Sequence, residues 1–151
     1  YLNWAMSLVK MNDHDQAIDK FNKVLSIDPN NPFAYFSLGR SLDSLNRFTE
    51  SAEALKKASD LDPKAVKVRS NYAVALLKSG QIDEAKAEYG RIFELVKSGQ
   101  NSDKIKVANK AEFLQKAVLS DLAVAQKTSE GEILNRINGA IKLVQDAAKT
   151  I

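Results

Sequence analysis

Apolar residues recur every three to four positions along most of the chain, in short blocks divided by polar turns. Ala17, Ile18, Phe21, Val24 and Leu25 form one such stripe, and Ala52, Leu55 and Ala58 form another. That spacing puts side chains on one face of a helix. Between the stripes stand turn formers: Asn12-Asp13, Asn46-Arg47 and Ser79-Gly80-Gln81. The run Asp28-Pro29-Asn30-Asn31-Pro32 predicts the end of one helix and the start of the next. Pro32 suits a first helical turn, where its missing N–H costs little. Asp62-Pro63 predicts a second stop, because a residue before proline is pushed out of the helical region. The expected fold class is all-α, built of antiparallel helical hairpins.

The blocks repeat. Leu25-Ser26-Ile27-Asp28-Pro29 returns as Ser59-Asp60-Leu61-Asp62-Pro63, with the two prolines at positions 29 and 63. Aligned on that interval, the first block gives Trp4, Ala5, Leu8, Ala17, Phe21, Val24 and Pro29. The second gives Leu38, Gly39, Leu42, Ser51, Leu55, Ala58 and Pro63. The third gives Tyr72, Ala73, Leu76, Ala85, Tyr89 and Ile92, with Lys97 in the place of proline. The order large, small, large, then alanine, aromatic, small or apolar, proline resembles the tetratricopeptide repeat (TPR) over residues 1–97. The physics agrees, because small residues let two helices approach closely and Trp4, Leu38 and Tyr72 would fill the space beside them. Three positions depart from the pattern: Ser51 for alanine, Leu55 for an aromatic, and Lys97 for proline. The last implies that the second helix of the third repeat need not stop where the others do. The resemblance implies a right-handed solenoid with three repeats at 1–31 (incomplete), 32–65 and 66–97.

Residues 98–104 read as a loop, with Ser102 or Asp103 as a candidate cap for the next helix. Residues 105–151 read as a helical hairpin. Val107, Ala111, Leu114, Val118, Leu122 and Ala125 make one stripe; Ile133, Ile137, Ala140, Ile141, Val144, Ala148 and Ile151 make the other. Thr128-Ser129-Glu130-Gly131 divides them, Thr128 or Ser129 being a possible cap. Both helices are expected to be longer than those of the repeats. A solenoid needs a covering element at its end, so this hairpin is expected to cap or extend the array. Its wide apolar stripes also suit a dimerisation or docking role.

Composition removes several function classes. The 151 residues carry 22 Lys+Arg and 19 Asp+Glu, a net charge of +3, with no basic block in either part of the chain. Nucleic-acid binding through the phosphate backbone needs a clustered basic face, so no nucleic-acid partner is expected. With no cysteine there is no disulfide, thiolate metal site or cysteine nucleophile. This fits the cytoplasm and does not separate it from the periplasm. The scattered glycines form no phosphate-binding loop. His14 is the single histidine and reads as an exposed turn residue. Asp83-Glu84 and Glu130/Glu132 read as helix-start acids. No catalysis, cofactor, metal or small-molecule substrate is expected. The chain opens at Tyr1 inside a helical pattern, as a piece of a longer protein would. Membrane association would therefore come through missing segments or a partner.

What remains is a protein or peptide partner. In the TPR family the first helix of each hairpin lines a concave groove. The resemblance therefore points to Phe33, Phe36 and Arg40 in the second repeat, and to Lys67, Asn71, Val74 and Lys78 in the third. Phe36 and Arg40 are the expected anchors, since aromatics and arginine dominate interface hot spots. Phe33 and Phe36 could instead pack on a neighbouring repeat. Some TPR proteins grip a chaperone's C-terminal carboxylate. Their clamp positions correspond here to Leu2, Met6, Ser37, Lys67 and Asn71, of which only Lys67 fits, so acidic chaperone tails are not expected to bind. Two other roles stay open: a homo-oligomer assembled through the solenoid ends or the 105–151 hairpin, and a regulatory domain of a larger enzyme.

Overall fold

The computed structural model describes residues 1–103 and 109–151. Every element among them is helical. Internal contacts divide the chain into two compact units, Tyr1–Pro63 and Lys64–Ile151. The third hairpin thus groups with the C-terminal segment.

The first unit holds α1 (Leu2–Lys10), α2 (His14–Ile27), α3 (Pro32–Ser44) and α4 (Phe48–Leu61). α1 pairs with α2 and α3 with α4, and α2 also packs on α3. Ala5, Leu8, Ala17, Ile18, Phe21, Leu38, Leu42 and Ala54 make the core that joins the two hairpins. At Gly39 the two helices of the second hairpin approach closely. A Cβ there would lie 2.6 Å from Leu55 Cγ, so the missing side chain is what lets α3 and α4 meet. The Ser51 hydroxyl donates to the Gly39 carbonyl oxygen at 2.7 Å in the buried contact. This accounts for serine where the repeat pattern has alanine. Asn31 caps α3, its side chain accepting from the Ala34 N–H at 2.9 Å, with Pro32 in the first turn.

Two sequence expectations fail in this unit. Trp4 does not fill the helix contact; it is 53% exposed, with Lys20 Nζ 3.9 Å from the ring centroid. Ala5 and Leu8 face the core instead, so Trp4 falls on the outer side of α1. His14 is not a turn residue but the first residue of α2, half-buried, with Asp13 as the cap and Nε2 3.1 Å from Asn12 Oδ1.

The second unit holds α5 (Val66–Lys78), α6 (Ile82–Ser98), α7 (Lys110–Leu114), a π-helical turn (Gln115–Leu119), α8 (Ser120–Thr128) and α9 (Gly131–Ala148). α7, the π turn and α8 join end to end and act as one interrupted helix. Its buried residues are Phe113, Leu114, Ala117, Val118, Leu122 and Ala125. Together with α9 this helix packs on both α5 and α6. α6 runs on past Lys97 to Ser98 and ends at Gly99, in the left-handed conformation with φ 68°. The interrupted helix Lys110–Thr128 and α9, with 18 residues, are both longer than the repeat helices, the longest of which is α6 with 17. Glu88, 10% exposed at its side chain, pairs with Arg69 of α5 at 2.8 Å and with Arg91 one turn along α6. Both carboxylate oxygens are thereby used, which is what a buried charge requires.

The capping expectations are corrected here. Asn109, not Ser102 or Asp103, caps α7, accepting from the Glu112 N–H at 2.9 Å. Thr128 does not open α9; its hydroxyl donates back to Val124 and Ala125 carbonyls at the end of α8. The N-cap of α9 is Glu130, with no side-chain cap bond. Val107 of the first C-terminal stripe lies outside the described residues.

Candidate protein-binding face

In the first unit the residues singled out by sequence lie on α3. Pro32 and Asn31 fix where that helix starts, and so fix the phase of its later turns. Phe33 is 47% exposed, an unusual placement for a large aromatic ring. Phe36, one turn on, is half-buried. Arg40 is exposed, and its guanidinium carbon stands 5.8 Å from the centroid of the Phe36 ring. A cation within about 6 Å of a ring face is attracted by the ring quadrupole. The three residues lie on one helix at positions 33, 36 and 40, the spacing of neighbouring turns. Partly buried Leu2, Met6 and Val9 of α1 pack against the core of the same unit.

The matching residues of α5 stand in a different environment. Lys67 Nζ contacts Asp121 Oδ1 of α8 at 2.6 Å. The Ser70 hydroxyl and Asn71 Nδ2 donate to the other oxygen of Asp121 at 3.2 and 3.1 Å. Asn71 Nδ2 also donates to the Lys67 carbonyl at 2.9 Å, which holds it in the helix groove. Three polar groups within two turns of α5 thus converge on one carboxylate from the C-terminal hairpin. Asp121 is 20% exposed at its side chain and Lys67 39%, so the pair is only partly shielded from water. Val74 is 7% exposed and belongs to the core of its unit. Lys78, at the last turn of α5, is half-buried. Arg136 of α9 reaches the same end of α5 and donates to the Leu77 carbonyl at 3.2 Å.

Asp121 and Arg136 carry no signal in the sequence. They meet α5 across 50 or more residues, and no local pattern marks a residue that reaches so far. Tyr89, at the aromatic position of the third repeat, is also more than packing. Its hydroxyl is buried with no hydrogen-bond partner among the described residues. Burial, and after it the Asp121 carboxylate, push its phenol well above the ordinary range. Among the described residues no group of three or more His, Asp or Glu could hold a metal ion. No helix among them is long and apolar enough to cross a membrane.

Two models of the family described as "Tetratricopeptide repeat" match residues 2–66 and 44–96. The peroxisomal targeting signal receptor of Saccharomyces cerevisiae is 37% identical over 73 residues, 48% of this chain and 12% of that protein. The small glutamine-rich tetratricopeptide repeat-containing protein 2 of Mycosarcoma maydis is 29% identical over 98 residues, 65% of this chain and 27% of its own. The chain therefore spans about an eighth to a quarter of these curated relatives. Among solved structures, MamA from Desulfovibrio magneticus RS-1 aligns with a TM-score of 0.59 at 24% identity, covering 62% of this chain and 53% of MamA. The TPR domain of Sgt2 from Aspergillus fumigatus aligns at 0.59 and 21% identity, covering 86% and 82%. At those identities the likeness is one of fold.

Proposed function

Residues 2–96 of this chain belong to the tetratricopeptide-repeat family, and from that premise we propose that the chain is an interaction scaffold that holds a peptide or helix of another protein. The observation that carries this reading is on α3. An exposed Phe33, a half-buried Phe36 and an Arg40 laid against the Phe36 ring offer apolar area and a cation on one helix face. Aromatics and arginine dominate contact energies at interfaces. The curated relative named as a targeting signal receptor lends support, since reading a signal is a segment-binding task.

Lys67 and Asn71 enter the proposal differently from Phe33, Phe36 and Arg40. Each gives a donor to Asp121, so a partner that engaged both would compete with the chain's own carboxylate. Val74 is withdrawn by burial. We therefore assign the partner-facing surface to α3 of the first unit. Lys78 of the second unit stays a candidate contact.

The test is affinity capture with the wild-type chain, Phe36→Ala/Arg40→Ala, and Glu53→Ala as a surface control. Partners recovered by wild type and control should be lost from the double variant, with helicity and melting nearly unchanged. An identical set of captured proteins on all three baits would sink the reading. A large drop in melting temperature of the double variant would show Phe36 to be a core residue instead.

A further inference from the structure

The second unit contains a half-open cavity of about 490 Å³ between α6 and α9, floored by the end of α5. That size is within the range of small-ligand sites. Leu77, Ile82, Tyr89, Ala140 and Leu143 supply apolar walls. Two cations line it, Lys86 from α6 and Arg136 from α9, and among the described residues no carboxylate does. Arg136 is held in place by the Leu77 carbonyl and by Glu132, one turn back on α9, both at 3.2 Å. Lys86 is exposed.

We propose that this cavity binds an aliphatic monocarboxylate, with its chain against Leu77, Tyr89, Ala140 and Leu143 and its carboxylate between Lys86 and Arg136. The apolar walls reward a hydrocarbon chain by removing it from water. The two cations reward an anionic head and penalise a cationic one. A small anion without a tail would gain nothing from the walls. A neutral chain would leave Lys86 unengaged, while Arg136 keeps its pairing with Glu132. This site goes beyond the scaffold reading and involves no residue of α3, so either can fail without the other.

Gly139 makes the test clean. It lines the cavity, and a Cβ added there meets no atom within 4 Å. A side chain at 139 therefore starts beside the cavity with open space at its Cβ. Amide NMR spectra of the labelled chain would be recorded with decanoate, decanol and decylammonium, each below its micelle concentration. The expected result is saturable shifts with decanoate, confined to residues 77–89 and 135–143. Gly139→Met should abolish them with helicity unchanged. Lys86→Ala should weaken decanoate about tenfold and leave decanol alone, the loss expected for one hydrogen bond to a charged group. The proposal is overturned if decanoate gives no saturable shifts, if Gly139→Met binds it as well as wild type, or if decylammonium binds as tightly as decanoate.

Discussion

Asp103 caps a helix that begins before it in the chain. Its two carboxylate oxygens accept from the backbone N–H groups of Val66 and Lys67, at 2.6 and 2.9 Å across 37 and 36 residues. Ala65, the local N-cap of α5, has no side chain to do this. The adjacent Ser102 N–H donates to the Lys64 carbonyl at 2.9 Å, which fixes the loop against the same helix end. A carboxylate there also meets the positive end of the helix dipole. Asp103→Ala should cost about 1–2 kcal/mol, the upper part of the range for a lost N-cap. Hydrogen exchange at Val66 and Lys67 should rise with it. Unchanged exchange at those two amides would mean that water replaces the cap without loss.

Removing Asp121 should loosen the C-terminal hairpin from α5. Asp121→Ala deletes the acceptor for Lys67, Ser70 and Asn71 at once. Lys67 is exposed enough to regain water, so the expected loss is about 1–2 kcal/mol rather than the larger penalty of a stranded buried charge. The Lys67 amine should also react faster with an acylating reagent, as peptide mass spectrometry would report. Equal reaction rates in wild type and variant would show that the ion pair does not hold in solution.

The glycines should respond in opposite directions. Gly39→Ala places a methyl group against Leu55 Cγ and Cδ2, and overpacking of this kind costs about 1–3 kcal/mol. Gly90 lies inside α6 with nothing within 4 Å of an added Cβ. Gly90→Ala should therefore stabilise, by about 0.5–1 kcal/mol, through helix propensity alone. Urea unfolding of the two variants beside wild type would measure both. The same sign for both would show that the close approach of α3 and α4 is not what position 39 serves.

Tyr89 should make the second unit sensitive to alkali. Its phenol is held neutral by burial, and next by the Asp121 charge, so its folded-state value lies above the unfolded one of about 10. Below that value both states are protonated and the stability is fully present. Above it the unfolded chain loses a proton that the folded chain keeps, and stability falls as pH rises. Of the 4 tyrosines, Tyr89 should ionise only together with unfolding when tyrosinate absorbance is followed against pH. Early and reversible ionisation of all four would contradict its burial. Tyr89→Phe should flatten the alkaline limb and cost little at neutral pH, since the hydroxyl has no partner to lose.

The repeats were legible because their positions are set by local rules. Ala17, Phe21, Leu38, Gly39, Ser51, Leu55, Tyr72, Ala73, Ala85, Tyr89 and Ile92 are all buried, as their helical spacing requires. The three turns share one more property. Asn12, Asn46 and Gly80 each have positive φ, at 60°, 59° and 87°, and their numbers step by the repeat period. Asparagine and glycine are the residues that tolerate this region most readily. The candidate face was legible only in part. The α3 residues derive from the helix they sit on. The α5 residues could not be separated from the hairpin that meets them, because Asp103, Asp121 and Arg136 act over long sequence distances. Trp4 misled for a related reason: the repeat pattern assigns it a role by position, while its side is decided by which face of α1 meets α2.

The π-helical turn at Gln115–Leu119 sets a phase. A π turn holds one more residue than the α turn it replaces, and each residue of an α-helix advances the side-chain direction by about 100°. Everything after Leu119 is thus rotated relative to α7 by that one extra residue. Asp121 stands two residues beyond the turn and Leu122 three, so the turn acts as a vernier, bringing the carboxylate onto Lys67 and Asn71 while Phe113 and Leu114 keep their own seats. Deleting Lys116, an exposed residue within it, would leave the composition of the hairpin almost untouched and yet swing Asp121 off its partners. In this chain the aim of α8 is held by residue count, not by residue kind.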